Sequence, residues 1–177
     1  NNNFSMKLEG IKVRDTGTGV DYFSPPENLF EYGEIEADEL EKLINGIKGM
    51  GCYDFIIIDM SCAFDRKSQR VFNLCDHIVL VITEEPASVL KYGLLKKELE
   101  KLETSRQDNI SGKLVTVLNR GKERNPGTPG NWNEITTGAY RIPEYRRAII
   151  KENGKLAVDD DDFRKAVDIL LDAVSDK

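Results

Sequence analysis

Two kinds of apolar run alternate along this chain. In the first kind, large apolar residues recur at helical spacing. Leu40, Leu43, Ile44 and Ile47 fall at i, i+3, i+4 and i+7 and predict an amphipathic helix over residues 38–48. Val71, Phe72 and Leu74 mark a short helix over 66–74, and Leu95, Leu99 and Leu102 form one stripe of a helix over 87–102. Phe163, Val167, Leu170, Leu171 and Val174 give another over 159–175. In the second kind, the apolar residues are continuous and rich in β-branched types: 55–58 within the segment 53–59, then 78–82, then 114–118. Unbroken runs of this length read as strands buried on both faces, as in a parallel sheet with helices on each side.

Punctuation supports this division. Gly49 and Gly51 end the first helix, and acidic residues crowd its start, where the helix dipole favours them. Residues 1–19 carry weak signals apart from a turn at Thr16-Gly17-Thr18-Gly19. Val20 to Phe23 has strand character and stops at Pro25 and Pro26, which cannot donate to a sheet ladder. Residues 121–138 read as a loop, 139–142 as a short last strand closed by Pro143, and 144–152 as a helix. The acidic run 159–162 belongs to the start of the last helix. Strands alternating with helices predict right-handed crossovers. The fold class is therefore α/β, a mostly parallel sheet flanked by helices in a Rossmann-like three-layer sandwich. No linker divides the 177 residues, so they read as one domain.

Composition narrows the function. At 40% apolar and 32% charged, the chain has the balance of an ordinary soluble domain. No apolar run reaches the roughly 18 residues a membrane span needs. A net charge of −6 argues against coating DNA, which relies on Lys and Arg neutralising phosphates. The basic clusters Arg120, Lys122, Arg124 and Arg141, Arg146, Arg147 read as solvated surface. Cys52, Cys62 and Cys75 match no zinc spacing and read as free thiols in a reducing compartment, and the single His77 reads as structural. The chain opens on Asn1 and not Met, so further residues are expected upstream.

In open parallel sheets, ligands bind beyond the C-terminal strand ends. Asp59 ends one apolar run, where a carboxylate either holds Mg²⁺ through a water or caps the next helix. Thr83-Glu84-Glu85-Pro86 ends the second, and Asn119-Arg120 ends the third. The Asn119 amide can pair with a purine edge or can simply begin a loop. No Gly-x-x-x-x-Gly-Lys-Ser/Thr phosphate loop occurs in the sequence, nor a Gly-x-Gly-x-x-Gly or Gly-x-Ser-x-Gly string.

The order of these motifs resembles the MinD/ParA ATPases. Gly19-Val20-Asp21-Tyr22-Phe23-Ser24-Pro25 is similar to that family's glycine–apolar–Asp–strand–Pro segment, and Tyr53-Asp54-Phe55-Ile56-Ile57-Ile58-Asp59 to its Tyr-Asp-x-Ile-Ile-Ile-Asp. Asp76 to Val81, Glu85 to Val89, Leu118-Asn119-Arg120, and Arg141-Ile142-Pro143 with 150–155 follow in the family's order. The resemblance spans 19–175 and implies a P-loop NTPase-type domain that binds ATP and Mg²⁺. It further implies a homodimer formed around nucleotide, which positions or assembles other protein machinery in the bacterial cytoplasm. By that resemblance Asp59 is the acid near Mg²⁺, and Asn119, with Arg120 beside it, contacts adenine. Ile142 and Pro143 line the base pocket. The wording of 53–61 resembles the TadZ/CpaE-like pilus-assembly branch, which carries a receiver-like domain first. The N-terminal strand, its phosphate loop and that domain are then expected before Asn1, and residues 1–177 alone are expected to bind ATP weakly at most.

One departure opens an alternative. The family has Asp-x-Pro where this chain has Asp59-Met60-Ser61, which also fits a degenerate scaffold that kept the fold and lost turnover. A third alternative is a DNA-partitioning ATPase whose dimer coats DNA, and the net charge of −6 makes it the least favoured of the three. MinD relatives anchor to membranes by a basic amphipathic last helix. Here the equivalent face is flanked by aspartates, so core packing is expected and direct membrane binding is not.

Overall fold

The computed structural model describes residues 2–24, 35–61, 63–106, 109–121, 138–145, 149–150, 156–157 and 160–175. The chain divides into two compact units, Asn1–Leu74 and Cys75–Lys177.

In the first unit, helix α1 (Asn2–Ile11) leads into an antiparallel hairpin of β1 (Lys12–Arg14) and β2 (Asp21–Phe23), with Arg14 opposite Asp21 and Lys12 opposite Phe23. The turn between the strands is closed by Asp15, whose carboxylate accepts from the Gly17 N–H at 2.7 Å, and by Gly19 at φ 77°. That backbone region favours glycine. Neither α1 nor β1 is legible from periodicity, because α1 carries only scattered apolar residues.

Helix α2 (Ala37–Lys48) starts one residue earlier than its apolar stripe predicts. The Glu36 N–H donates to the Glu39 carboxylate at 3.0 Å, so the start is set by a side chain reaching back. The helix ends as the Gly49 N–H donates to the Asn45 carbonyl at 2.9 Å. Helix α3 (Arg66–Leu74) matches its predicted bounds. It opens on a reciprocal pair: the Ser68 N–H donates to the Asp65 carboxylate at 2.9 Å, and the Asp65 N–H to the Ser68 hydroxyl at 2.8 Å. α2 packs on α1 and α3, and Leu8, Ile44, Val71 and Ser68 are buried.

The segment 53–59 departs from expectation. It forms no strand, and no ladder pairs with it among the described residues. Ile57 is 90% exposed and Phe55 54%. A strand is held by its neighbour's hydrogen bonds, so an apolar run without a neighbour stays outside any sheet, however strong its β propensity.

The second unit holds the predicted parallel sheet, in the order β3 (Ile78–Ile82), β4 (Leu114–Asn119), β5 (Tyr140–Ile142). β3 and β4 run in register from Ile78 opposite Leu114 to Ile82 opposite Leu118. Helix α4 (Pro86–Arg106) crosses between them and outlasts its predicted 87–102; proline suits its first turn, where no N–H is needed. A 3₁₀ turn, Ser111–Lys113, then delivers the chain to β4. Ile82, Tyr92 and Leu118 form the core with Leu80 packed against them. Val79 and Val81, on the other face of β3, are 45% and 57% exposed.

The helix expected over 144–152 is not formed where the chain is described. Ile149–Ile150 is a strand, β6, paired antiparallel with β7 (Leu156–Ala157). Two adjacent β-branched isoleucines favour extended backbone over helix. The last helix, α5 (Asp161–Ser175), begins after the predicted 159 because Asp160 caps it, accepting from the Phe163 N–H at 2.9 Å. It packs on β5, and Phe163 lies 5.6 Å from the Tyr145 ring. The predicted loop over 121–138 falls almost wholly outside the described residues.

Candidate functional site

The C-terminal ends of the parallel strands bring together four of the five residues singled out from the sequence. Asn119 ends β4 directly opposite Ile142, which ends β5, and Pro143 follows. The Gly121 N–H donates to the Ile142 carbonyl at 3.2 Å and ties the two strand ends across the turn. Between them Arg120 sits at φ 56°, the left-handed region, where a non-glycine side chain costs about 1–2 kcal/mol. The turn thus breaks out of the sheet plane in one residue. Asn119, Ile142 and Pro143 are half-buried at this edge, and Arg120 is exposed. A half-buried amide beside main chain is a group able to read a donor–acceptor edge. At the neighbouring end of β3, the Thr83 N–H donates to the Ser88 hydroxyl at 3.0 Å, which ties the strand end to the first turn of α4.

Asp59 lies in the other unit, at the end of the 53–59 run, and is exposed. It does not cap the next helix: Asp65, held low in pKa chiefly by the Ser68 N–H, does that. No group of three or more His, Cys, Asp or Glu able to hold a metal occurs among the described residues. A lone exposed carboxylate suits Mg²⁺, which keeps several waters and takes substrate phosphates, better than a cation that needs a full protein cage. Cys52 and Cys75 form no disulfide among the described residues, and Cys62 lies outside them.

The sequence gives little warning of a polar cluster around β1 and β2. Lys12 Nζ lies 2.7 Å from Glu9 Oε1 and 2.9 Å from Asp21 Oδ2. The Tyr53 hydroxyl donates to Asp21 Oδ2 at 3.0 Å and accepts from Lys12 at 3.3 Å. Glu9 and then Asp21 push the Lys12 pKa up, while Lys12 holds the Asp21 carboxyl below the usual range. Burial raises the Tyr53 pKa, so its hydroxyl stays a neutral donor. The one available signal was Asp21 itself, an acid between Val20 and Tyr22 in a strand.

A cavity of about 420 Å³ lies elsewhere, between α4 and the N-terminal half of β4, lined by Tyr92, Lys96, Leu99 and Thr116. It is away from the strand ends where ligands of open α/β sheets bind.

No family model matches the sequence, and no curated protein does. Among solved structures, a ParA family ATPase from Chlorobium tepidum TLS superposes with a TM-score of 0.72 at 21% identity, over 96% of this chain and 72% of the other. The fold is ParA-like. The predicted α/β class and parallel sheet are therefore correct. No helix among the described residues is long and apolar enough to cross a membrane.

Proposed function

We propose that this ParA-like chain is the larger part of an ATP-binding domain of MinD/ParA type, working as a nucleotide-dependent dimeric switch in the positioning or assembly of cytoplasmic machinery. The TadZ/CpaE-like pilus-assembly branch is the setting we favour, on the wording of 53–61. The observation that carries the reading is Asn119 set opposite Ile142 at the C-terminal edge of the parallel sheet. In this reading the Asn119 amide pairs with the adenine edge, and Arg120, Ile142 and Pro143 border the base. Asp59 holds Mg²⁺ through a water, and bound Mg²⁺ supplies charge neutralisation at the phosphates.

The phosphates themselves need a glycine-rich loop with a lysine, which these 177 residues do not contain. We place that loop in sequence outside them, on a strand beside β3. Support comes from β3 standing at the edge of its sheet among the described residues, where a further strand could pair with it. The neighbouring ParA family ATPase is also longer, with 72% of it matched.

Light scattering on the full-length protein tests the switch. Addition of Mg²⁺ and ATP is expected to double the mass, and ADP is not. An unchanged mass, with no ATP bound, favours the second reading: a scaffold that kept the fold without turnover, as Asp59-Met60-Ser61 in place of Asp-x-Pro supports.

A further inference from the structure

The cavity of about 420 Å³ between α4 and β4 has no part in the nucleotide reading. It lies where the sheet is short. β5 begins at Tyr140, opposite Val117, so the stretch 114–116 of β4 has no neighbour on that side among the described residues. The volume falls within the range of about 300–1,000 Å³ that small-molecule sites occupy.

Its floor is apolar and carries two hydroxyls. Leu99 is 2% exposed, and Leu114 and Thr116 are half-buried. Tyr92 is 7% exposed, and a buried tyrosine hydroxyl normally finds a close partner. Here its hydrogen-bond partner among the described residues is the Thr116 hydroxyl at 3.5 Å, the outer limit of such a bond. Both residues line the cavity, so both hydroxyls keep hydrogen-bonding capacity at its wall.

The rim carries one charge of each sign. Lys96 and Glu100 are exposed and stand one turn apart on α4, a spacing at which opposite charges meet. Among the described residues no ion pair joins them. Lys96 Nζ lies instead 5.8 Å from the centre of the Tyr92 ring, which holds the cation over the aromatic face. A purely anionic ligand would lie beside Glu100, and a purely cationic one beside Lys96. Like charges set against each other reject both. A small zwitterion with an apolar body satisfies the rim and the floor together.

We propose that this cavity binds a free apolar amino acid, with its carboxylate on Lys96, its ammonium on Glu100 and its side chain against Leu99 and Leu114. The site is separate from the Asn119 edge and does not depend on nucleotide binding there.

Methyl NMR of the full-length protein tests this with three probes: L-phenylalanine, phenylpropionate, which lacks the ammonium, and phenethylamine, which lacks the carboxylate. Phenylalanine is expected to shift the Leu99, Leu114 and Val115 methyl signals together and saturably, with a dissociation constant of about 1 mM or tighter. Each single-charge probe is expected to bind at least about fivefold more weakly. Lys96→Gln is expected to weaken phenylalanine by a similar factor and to leave phenethylamine no weaker. Glu100→Gln is expected to weaken phenylalanine and to leave phenylpropionate no weaker. Both changes lie on exposed positions, so the fold is retained. Shifts that do not saturate by about 10 mM phenylalanine overturn the site. Equal affinity for the three probes, or phenylalanine binding that neither substitution weakens, overturns the assignment to a zwitterion.

Discussion

Asn119 and Ile142 face one another as the last residues of two parallel strands, and the Gly121 N–H crosses to the Ile142 carbonyl at 3.2 Å. The chain leaves β4 and bonds to the end of β5 within two residues, with Arg120 at φ 56° between them.

Replacing Arg120 isolates the strain. Arg120→Gly is expected to stabilise the protein by up to about 1 kcal/mol, because glycine occupies the left-handed region without the Cβ penalty. Arg120→Val is expected to destabilise it by a comparable amount, since a β-branched residue tolerates that region least. Thermal unfolding of the two variants side by side gives the sign directly.

Acid acts on the hairpin network through Asp21. The folded Asp21 carboxyl lies below its unfolded value of about 3.9, so its contribution is present above that pH and is lost as pH falls through the lower folded value. Lys12 behaves in the opposite sense: its pKa is raised, so its contribution is complete below about pH 10.4 and lost at more alkaline pH. Asp65 and Glu103 are also held low, so the quantity to measure is a difference. The gap in melting temperature between the native protein and Asp21→Asn is expected to be widest near neutrality and to shrink below pH 4.

Ser68 is a buried polar residue, donating to the Asp65 carbonyl and accepting from the Asp65 N–H. Ser68→Ala strips a partner from each, and the expected cost is about 1–3 kcal/mol in urea unfolding. Ser68→Thr keeps the hydroxyl but adds a methyl where the side chain is 1% exposed, so it is expected to recover only part of the loss.

Much of this fold was legible because its strongest signals are local. The bounds of α3 and β3 follow from apolar spacing alone, as does the parallel β3–β4 pairing, because continuous β-branched runs joined by a helix admit few other arrangements. The failures are non-local. Tyr53 to Asp59 reads as a strand, yet a strand depends on a partner that periodicity cannot supply. Ile149 and Ile150 were assigned to a helix by their surroundings and pair instead with Leu156 and Ala157. Of the site, the edge formed by Asn119, Ile142 and Pro143 was readable from strand ends. The link of Tyr53 to Lys12 and Asp21 was not, since it joins residues 41 and 32 positions apart.

The central claim is that the Asn119 edge of the sheet holds an adenine base, and the direct measurement is calorimetric titration of Mg²⁺-ATP into the full-length protein and its Asn119→Ala variant. A loss of about tenfold or more in affinity, together with lost preference for ATP over GTP, is the predicted result, equivalent to about 1.4 kcal/mol of hydrogen bonding. Equal affinity and equal selectivity in the two proteins would contradict the account.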